Sequence, residues 1–236
     1  MAVKIGGLQK LTLVDYPSKL ACTVFLSGCN FRCPFCYSQE LVLPEAIKNQ
    51  PQISEDYFFS FLKEKQGMIE GCVLCGGEPT INPDLPGFCK KIKGLGFSIK
   101  LDTNGSNPEA LAELISLQLI DYIAMDIKAP LTEEKYAEAC GVRYDLEKIK
   151  QSIAIIKNSG LDYEFRTTIV PLIHSKEDII TMAKNIAPAK KYFLQRFRGE
   201  KGTINPDFAG AKPFEDIVLS EIEKEVVPMF DIFKIR

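Results

Sequence analysis

Three cysteines, Cys29, Cys33 and Cys36, fall in the run Gly28-Cys29-Asn30-Phe31-Arg32-Cys33-Pro34-Phe35-Cys36-Tyr37, separated by three and then two residues. Thiols this close on one loop suit a metal centre, because thiolates are the usual ligands of iron–sulfur clusters. A four-iron cluster held by protein alone would take four of them, so three leave one iron open. Structural zinc would need a fourth Cys or His at a matching spacing. The single histidine, His174, is far off in the chain, and Cys72 and Cys75 lie inside an apolar run, so zinc is the weaker fit, although the loop alone leaves it in play. Cys33-Pro34-Phe35-Cys36 by itself would suit a thioredoxin-like redox pair; the additional Cys29 and the missing small βαβ setting argue against that.

Three further polar motifs follow in order, Gly76-Gly77-Glu78-Pro79, Asp102-Thr103-Asn104-Gly105 and Asp126-Ile127-Lys128. A glycine pair lets backbone carbonyls approach an ammonium group with no Cβ in the way. Glu78 would pair with that charge, although the same residues taken alone are a turn after a strand. Asp102 and Asp126 are acids whose burial is costly unless they are paired or bound to a cation. Asp126 and Lys128 could equally do no more than balance each other at a strand end.

Buried parallel strands are read at Leu20–Leu26, Cys72–Cys75, Phe97–Leu101, Tyr122–Met125, Tyr163–Val170 and Lys191–Phe197, from short β-branched and aromatic runs bounded by turn residues. Amphipathic helices are read from Ser54 to about Lys65, over Asn82–Lys93, Pro108–Leu119, Thr132–Cys140, Asp145–Asn158 and Lys176–Ile186, and near Ile217–Val226. This alternation predicts an α/β protein. Right-handed crossovers would curl its sheet, and about six βα units, where a full barrel needs eight, predict a partial, open (β/α)6 barrel. Periodicity alone also allows a doubly wound open sheet. Every polar motif falls where a strand ends, the edge at which parallel α/β proteins bind ligands. One domain is expected over residues 1–236, with a core of about 20–198 and a C-terminal extension of about 201–236 whose last residues receive no element.

Eight cysteines in a chain of 236 residues fit reduced thiols serving a metal better than a disulfide framework. A net charge of −2 leaves no electrostatic footprint for nucleic acid. No apolar run is long enough for a membrane span, and the N-terminus lacks the pattern of a secretory signal, so a soluble, cytoplasmic protein is expected.

The spacing Cys29-x3-Cys33-x-Phe35-Cys36, with Phe35 as the aromatic residue, resembles the cluster loop of the radical S-adenosylmethionine (SAM) superfamily, and the later motifs follow in that family's order. The resemblance implies a [4Fe-4S] cluster on Cys29, Cys33 and Cys36 whose open iron is chelated by SAM. It implies that Gly76, Gly77 and Glu78 bind the SAM amino group, and that Asp102, Thr103 and Asn104 contact its ribose and polar end. One electron then cleaves SAM to methionine and a 5′-deoxyadenosyl radical, which takes hydrogen from a substrate. No catalytic residue is expected beyond the cluster and the SAM site.

Within the superfamily, Val14 to Leu20, Phe25 to Cys33, Leu101 to Gly105 and Met125 to Lys128 resemble the activating enzymes of glycyl-radical enzymes, especially that of anaerobic ribonucleoside-triphosphate reductase. The likeness covers Leu8 to Arg198. It implies a glycyl-radical enzyme as partner, entering through the lateral opening of a partial barrel, and a low-potential electron donor such as flavodoxin or ferredoxin. It also implies a monovalent cation near Asp102, Asp126 and Lys128, with Arg166 reaching the SAM carboxylate, Val170 near adenine and Gln195 as an active-site polar residue. The alternative is a radical SAM enzyme acting on a small molecule or peptide. Tyr37-Ser38 stands where many activating enzymes carry His-Asn. His174 is expected at the surface, and Cys72, Cys75, Cys89 and Cys140 as buried small hydrophobes.

Overall fold

The computed structural model describes residues 3–200 and 202–236. Met1 and Ala2, where the sequence reading starts the N-terminus, and Lys201, where it starts the C-terminal extension, lie outside the described residues. The chain forms two compact units, residues 1–30 with 38–123, and residues 31–37 with 124–236.

In the first unit, β1 (Ile5–Thr12) runs antiparallel to β2 (Ala21–Leu26), with Ile5 opposite Leu26. Two short helices, α1 (Gln39–Val42) and α2 (Pro44–Asn49), lead to α3 (Glu55–Glu64). The Ser54 side chain caps α3 by accepting from the Tyr57 N–H, and Phe58, Phe61 and Leu62 are its buried face. Next, β3 (Gly71–Gly76) pairs parallel to β2, bringing Gly76 opposite Leu26. The helix α4 (Leu85–Gly94) buries Leu85, Phe88, Cys89 and Ile92, and β4 (Ser98–Thr103) lies parallel to β3. Asn107 caps α5 (Pro108–Ser116) through the Ala110 N–H. Strand β5 (Tyr122–Asp126) carries the division between the units.

In the second unit, α6 (Glu133–Cys140) ends at Gly141, whose φ of 67° is the left-handed stop that glycine accommodates. Asp145 caps α7 (Leu146–Asn158), which precedes β6 (Asp162–Ile169). A reciprocal Ser175/Asp178 box starts α8 (Lys176–Ile186). Strand β7 (Ala189–Arg196) is parallel to β6 with Gln195 opposite Thr168, and after α9 (Asp216–Val226) strand β8 (Phe230–Ile235) is parallel to β7.

The fold class is α/β, with an open sheet whose strand order is the chain order. The six expected strands are β2 to β7. Four elements are additional, β1, α1, α2 and β8. In β1 the glycines Gly6 and Gly7 and the exposed Gln9, Lys10 and Leu11 break any alternation, so the strand has no periodic signal. Helix α4 begins at Leu85, later than the expected Asn82, because Pro79–Ile81 form a separate 3-10 turn that Asn82 closes. Among the described residues no helix is long and apolar enough to cross a membrane.

Candidate cluster and cofactor site

The expected site residues fall in both units. Cys29, Gly76, Gly77, Glu78, Asp102, Thr103 and Asn104 belong to the first, and Cys33, Phe35, Cys36, Asp126, Lys128 and Arg166 to the second.

In the first unit the end of β3 is folded tightly against the residues before Cys29. The Gly77 N–H donates to the Leu26 carbonyl at 2.8 Å and the Glu78 N–H to the Gly28 carbonyl at 2.7 Å. Gly76 has φ +116°, and a Cβ on Gly77 would collide with the Gly28 carbonyl oxygen. The glycine pair therefore serves a backbone-to-backbone approach, as well as leaving carbonyls uncovered.

Glu78 is fully buried. Its Oε1 accepts from the Thr80 N–H (3.1 Å), the Thr80 hydroxyl (2.6 Å) and the Thr103 hydroxyl (2.7 Å), and its Oε2 from the Asn104 N–H (2.6 Å). Burial pushes its carboxyl above the ordinary value despite these bonds. Both oxygens are engaged, so Glu78 joins the turn after β3 to the turn after β4. From Asn104 the network continues to Asn30, whose Oδ1 accepts from Nδ2 at 3.1 Å, and reaches the Cys29 sulfur at 4.0 Å. Asn30 Nδ2 in turn donates to Ser106 at 2.8 Å. Cys29 is thus linked to the first two of the three motifs that follow it in sequence. Asp102 is paired with Lys100, a buried lysine whose ammonium also lies 5.9 Å from the centre of the Tyr122 ring.

In the second unit, Asp126 is flanked by Arg166 Nε at 3.2 Å and Lys128 Nζ at 3.4 Å. Burial raises its carboxyl pKa, but the two cations outweigh that and hold it below the ordinary value. For Lys128 burial favours the neutral amine; Asp126 and the nearby sulfurs of Cys33, Cys140 and Cys36 reverse this and keep it protonated. The two acids expected to share a cation each have a cationic side chain beside them already. Among the described residues no group of three or more His, Cys, Asp or Glu side chains is gathered as a metal cage.

Cys33 is buried, and its thiol is shifted toward thiolate, first by a side-chain hydrogen bond with Cys140, against burial, and further by Lys128. Such a bias suits a thiolate ligand. Phe35 is buried nearby in sequence, and Pro34 and Cys36 lend their carbonyls to the Asn205 (2.9 Å) and Ile204 (3.1 Å) N–H groups. The C-terminal extension therefore fastens the cysteine loop. Tyr37 is a second fastening: its ring stacks on Phe197 at 5.5 Å and its hydroxyl accepts from the Arg198 N–H at 2.6 Å. Gln195 lines an open cleft of about 810 Å³ with Tyr37, Thr168 and Arg198, while Val170 is fully buried.

Two expectations are corrected. His174 is buried rather than at the surface. Its Nδ1 accepts from the Val170 N–H at 3.0 Å, so Nε2 carries the proton and donates to the Lys128 carbonyl at 2.8 Å. A short turn after Pro171 folds the ring back inward, with the Ile173 and His174 N–H groups donating to the Val170 carbonyl. Burial pushes its pKa below 6.5. The unfolded chain takes up this proton more readily than the folded one, so unfolding free energy falls as pH drops below about 6.5 toward the folded value, by up to about 1.4 kcal/mol per pH unit. With no other histidine in the chain, His174→Gln is expected to flatten the dependence of melting temperature on pH between about pH 7.5 and 5.5.

The second correction concerns Cys75, expected to be buried and only partly so; Cys140 is buried as expected and is in addition hydrogen-bonded to Cys33. Cys72 and Cys89 do behave as core thiols. Burial pushes Cys89 up to about 12 and Cys72 well above its ordinary value, with Cys22 hydrogen-bonded to Cys72 across the β2–β3 pair. Cys140 and Tyr136, on the same helix, carry no sequence signal beyond their four-residue separation.

Residues 23–186 match the radical SAM superfamily. A Methanocaldococcus jannaschii protein provisionally named as a glycyl-radical enzyme activating enzyme is 36% identical across the whole chain and 97% of its own length. An S-adenosylmethionine-dependent nucleotide dehydratase of a Thermoplasmatales archaeon (strain ISO4-H5) is 29% identical over 60% of the chain and 49% of its own length. Among solved structures, Streptococcus suis SuiB bound to its precursor peptide SuiA superposes with a TM-score of 0.67 at 13% identity, over 90% of the chain but about half (48%) of SuiB. Escherichia coli QueE superposes at 0.57 and 15% identity, over 98% of the chain and 93% of QueE. With three thiols on one loop, one of them drawn toward thiolate, and this match over most of its length, the chain belongs to the radical SAM superfamily, which implies a [4Fe-4S] cluster and SAM.

Proposed function

We propose that the chain is an activating enzyme that removes hydrogen from a backbone glycine of a glycyl-radical enzyme. The observation that carries this reading is the 36% identity, end to end, with a relative provisionally named for that activity. A second such M. jannaschii relative is 26% identical over 92% of the chain. The sequence motifs point further, to anaerobic ribonucleoside-triphosphate reductase as the partner and to flavodoxin or ferredoxin as donor.

When bound, the cluster and SAM supply one-electron cleavage of SAM to methionine and a 5′-deoxyadenosyl radical. Cys29, Cys33 and Cys36 would hold the cluster. The Gly76–Glu78 turn and the Asp102–Asn104 turn, joined by Glu78, would hold SAM through backbone groups. Lys128 and Arg166 supply positive charge suited to its carboxylate, with Asp126 fixing both in place.

The test mixes reconstituted protein, SAM, reductant and a candidate reductase without oxygen. A doublet in the electron paramagnetic resonance spectrum of the partner, with stoichiometric 5′-deoxyadenosine, is expected. Deoxyadenosine formed with no glycyl signal on any such partner would favour small-molecule chemistry. That second reading draws on the nucleotide dehydratase relative, which matches little more than half of the chain.

A further inference from the structure

We propose that α6 provides the hydrogen-bond donors around the Cys33 side of the cluster: the Cys140 thiol donates to the Cys33 sulfur, and the Tyr136 hydroxyl is held for a sulfur acceptor that arrives with the cluster. The inference rests on the cluster occupying this loop and is independent of which molecule gives up the hydrogen.

Tyr136 and Cys140 are four residues apart, so they lie one above the other on a single face of α6. Both are buried, at 3% and 0% exposure. That face is docked on the cysteine loop by its backbone. The Arg32 N–H donates to the Cys140 carbonyl at 2.8 Å, and Gly141 passes so close to the Arg32 carbonyl that a Cβ would collide with it. Side chain follows backbone, with Cys140 hydrogen-bonded to Cys33.

Tyr136 is the anomaly. Among the described residues its hydroxyl is the buried side-chain oxygen that has no hydrogen-bond partner. It lies beside the Lys128 backbone and within electrostatic reach of Cys140, Cys33 and Asp126. The Lys128 carbonyl receives His174, and Asp126 receives Arg166 and Lys128. Buried hydroxyls are seldom left unpaired, and a phenylalanine would fill the same space at no such cost. A donor within electrostatic reach of a cluster ligand, lacking an acceptor until sulfide and thiolate are in place, meets that cost when the cluster binds. Hydrogen bonds to cluster sulfurs stabilise the added electron and move the reduction potential upward.

Wild type, Tyr136→Phe, Cys140→Ala and Cys140→Ser, each reconstituted with iron and sulfide and left without SAM, would be titrated potentiometrically with the cluster signal followed by paramagnetic resonance. Tyr136→Phe and Cys140→Ala are expected to move the potential negative, and Cys140→Ser, which keeps a donor, to lie nearer wild type. Melting of the Tyr136→Phe protein should change sign with loading, above wild type when cluster-free and below it when loaded. Potentials unchanged in both Tyr136→Phe and Cys140→Ala would overturn the proposal, as would a Cys140→Ser potential equal to that of Cys140→Ala. If wild type itself never forms a cluster, the radical SAM reading of the loop fails instead.

Discussion

Gly77→Ala is expected to leave most of the protein folded yet impaired in holding iron. The new methyl would point into the Gly28 carbonyl, one residue before Cys29, while the Glu78 N–H is bonded to that same oxygen. Backbone cannot rotate aside as a side chain can, so either the Cys29 segment or the turn after β3 must move. Overpacking of this kind costs about 1–3 kcal/mol, which corresponds to about a 5- to 150-fold loss of preference for the native loop position. The measurement is iron and sulfide bound after anaerobic reconstitution, expected to fall by at least about fivefold. Gly87→Ala is the control: it lies within α4 with nothing near its Cβ position, and is expected to retain iron and to gain about 0.5–1 kcal/mol of stability from helix propensity. Equal iron content in the two variants would show that the close approach at Gly77 does not position the loop.

What could be read from the sequence follows from what leaves a local pattern. The strands β2 to β7 are short apolar runs closed by glycine or polar residues, and the helices carry spaced apolar faces and capping residues such as Ser54 and Asp145. The cysteine spacing is local too. Partners distant in sequence leave no such trace. Nothing near Glu78 tells that its carboxylate accepts from Thr80, Thr103 and Asn104, so its part in joining the turns after β3 and β4 could not be read from the sequence. His174 in a loop after proline reads as solvated until Val170 and Lys128 close on it from 4 and 46 residues away. Cys140 reads as core until the end of α6 is seen docked on Arg32. In each case the setting of a polar side chain was decided by a contact that sequence periodicity does not encode.

Glu78→Ala is expected to be the most destabilising single change in the first unit. It deletes an acceptor of four hydrogen bonds at a site without solvent. The two hydroxyls can rotate to other acceptors, but the Thr80 and Asn104 N–H groups are fixed by backbone and would be left buried and unpaired. At about 1–3 kcal/mol for each, the loss is about 2–6 kcal/mol, a large fraction of the 5–15 kcal/mol that holds typical domains. Glu78→Gln separates the two halves of this cost. Its amide oxygen can keep the Oε1 bonds to Thr80 and Thr103, while its amide N–H group faces the Asn104 N–H, donor against donor, so about half the loss is expected. Denaturant unfolding of wild type, Glu78→Gln and Glu78→Ala should rank in that order, with unchanged slopes. Because Asn104 carries the connection onward to Asn30 and the Cys29 sulfur, iron content should fall in the same order. Unfolding free energies within about 0.5 kcal/mol of wild type for both variants would mean that the turns after β3 and β4 hold their positions without this carboxylate.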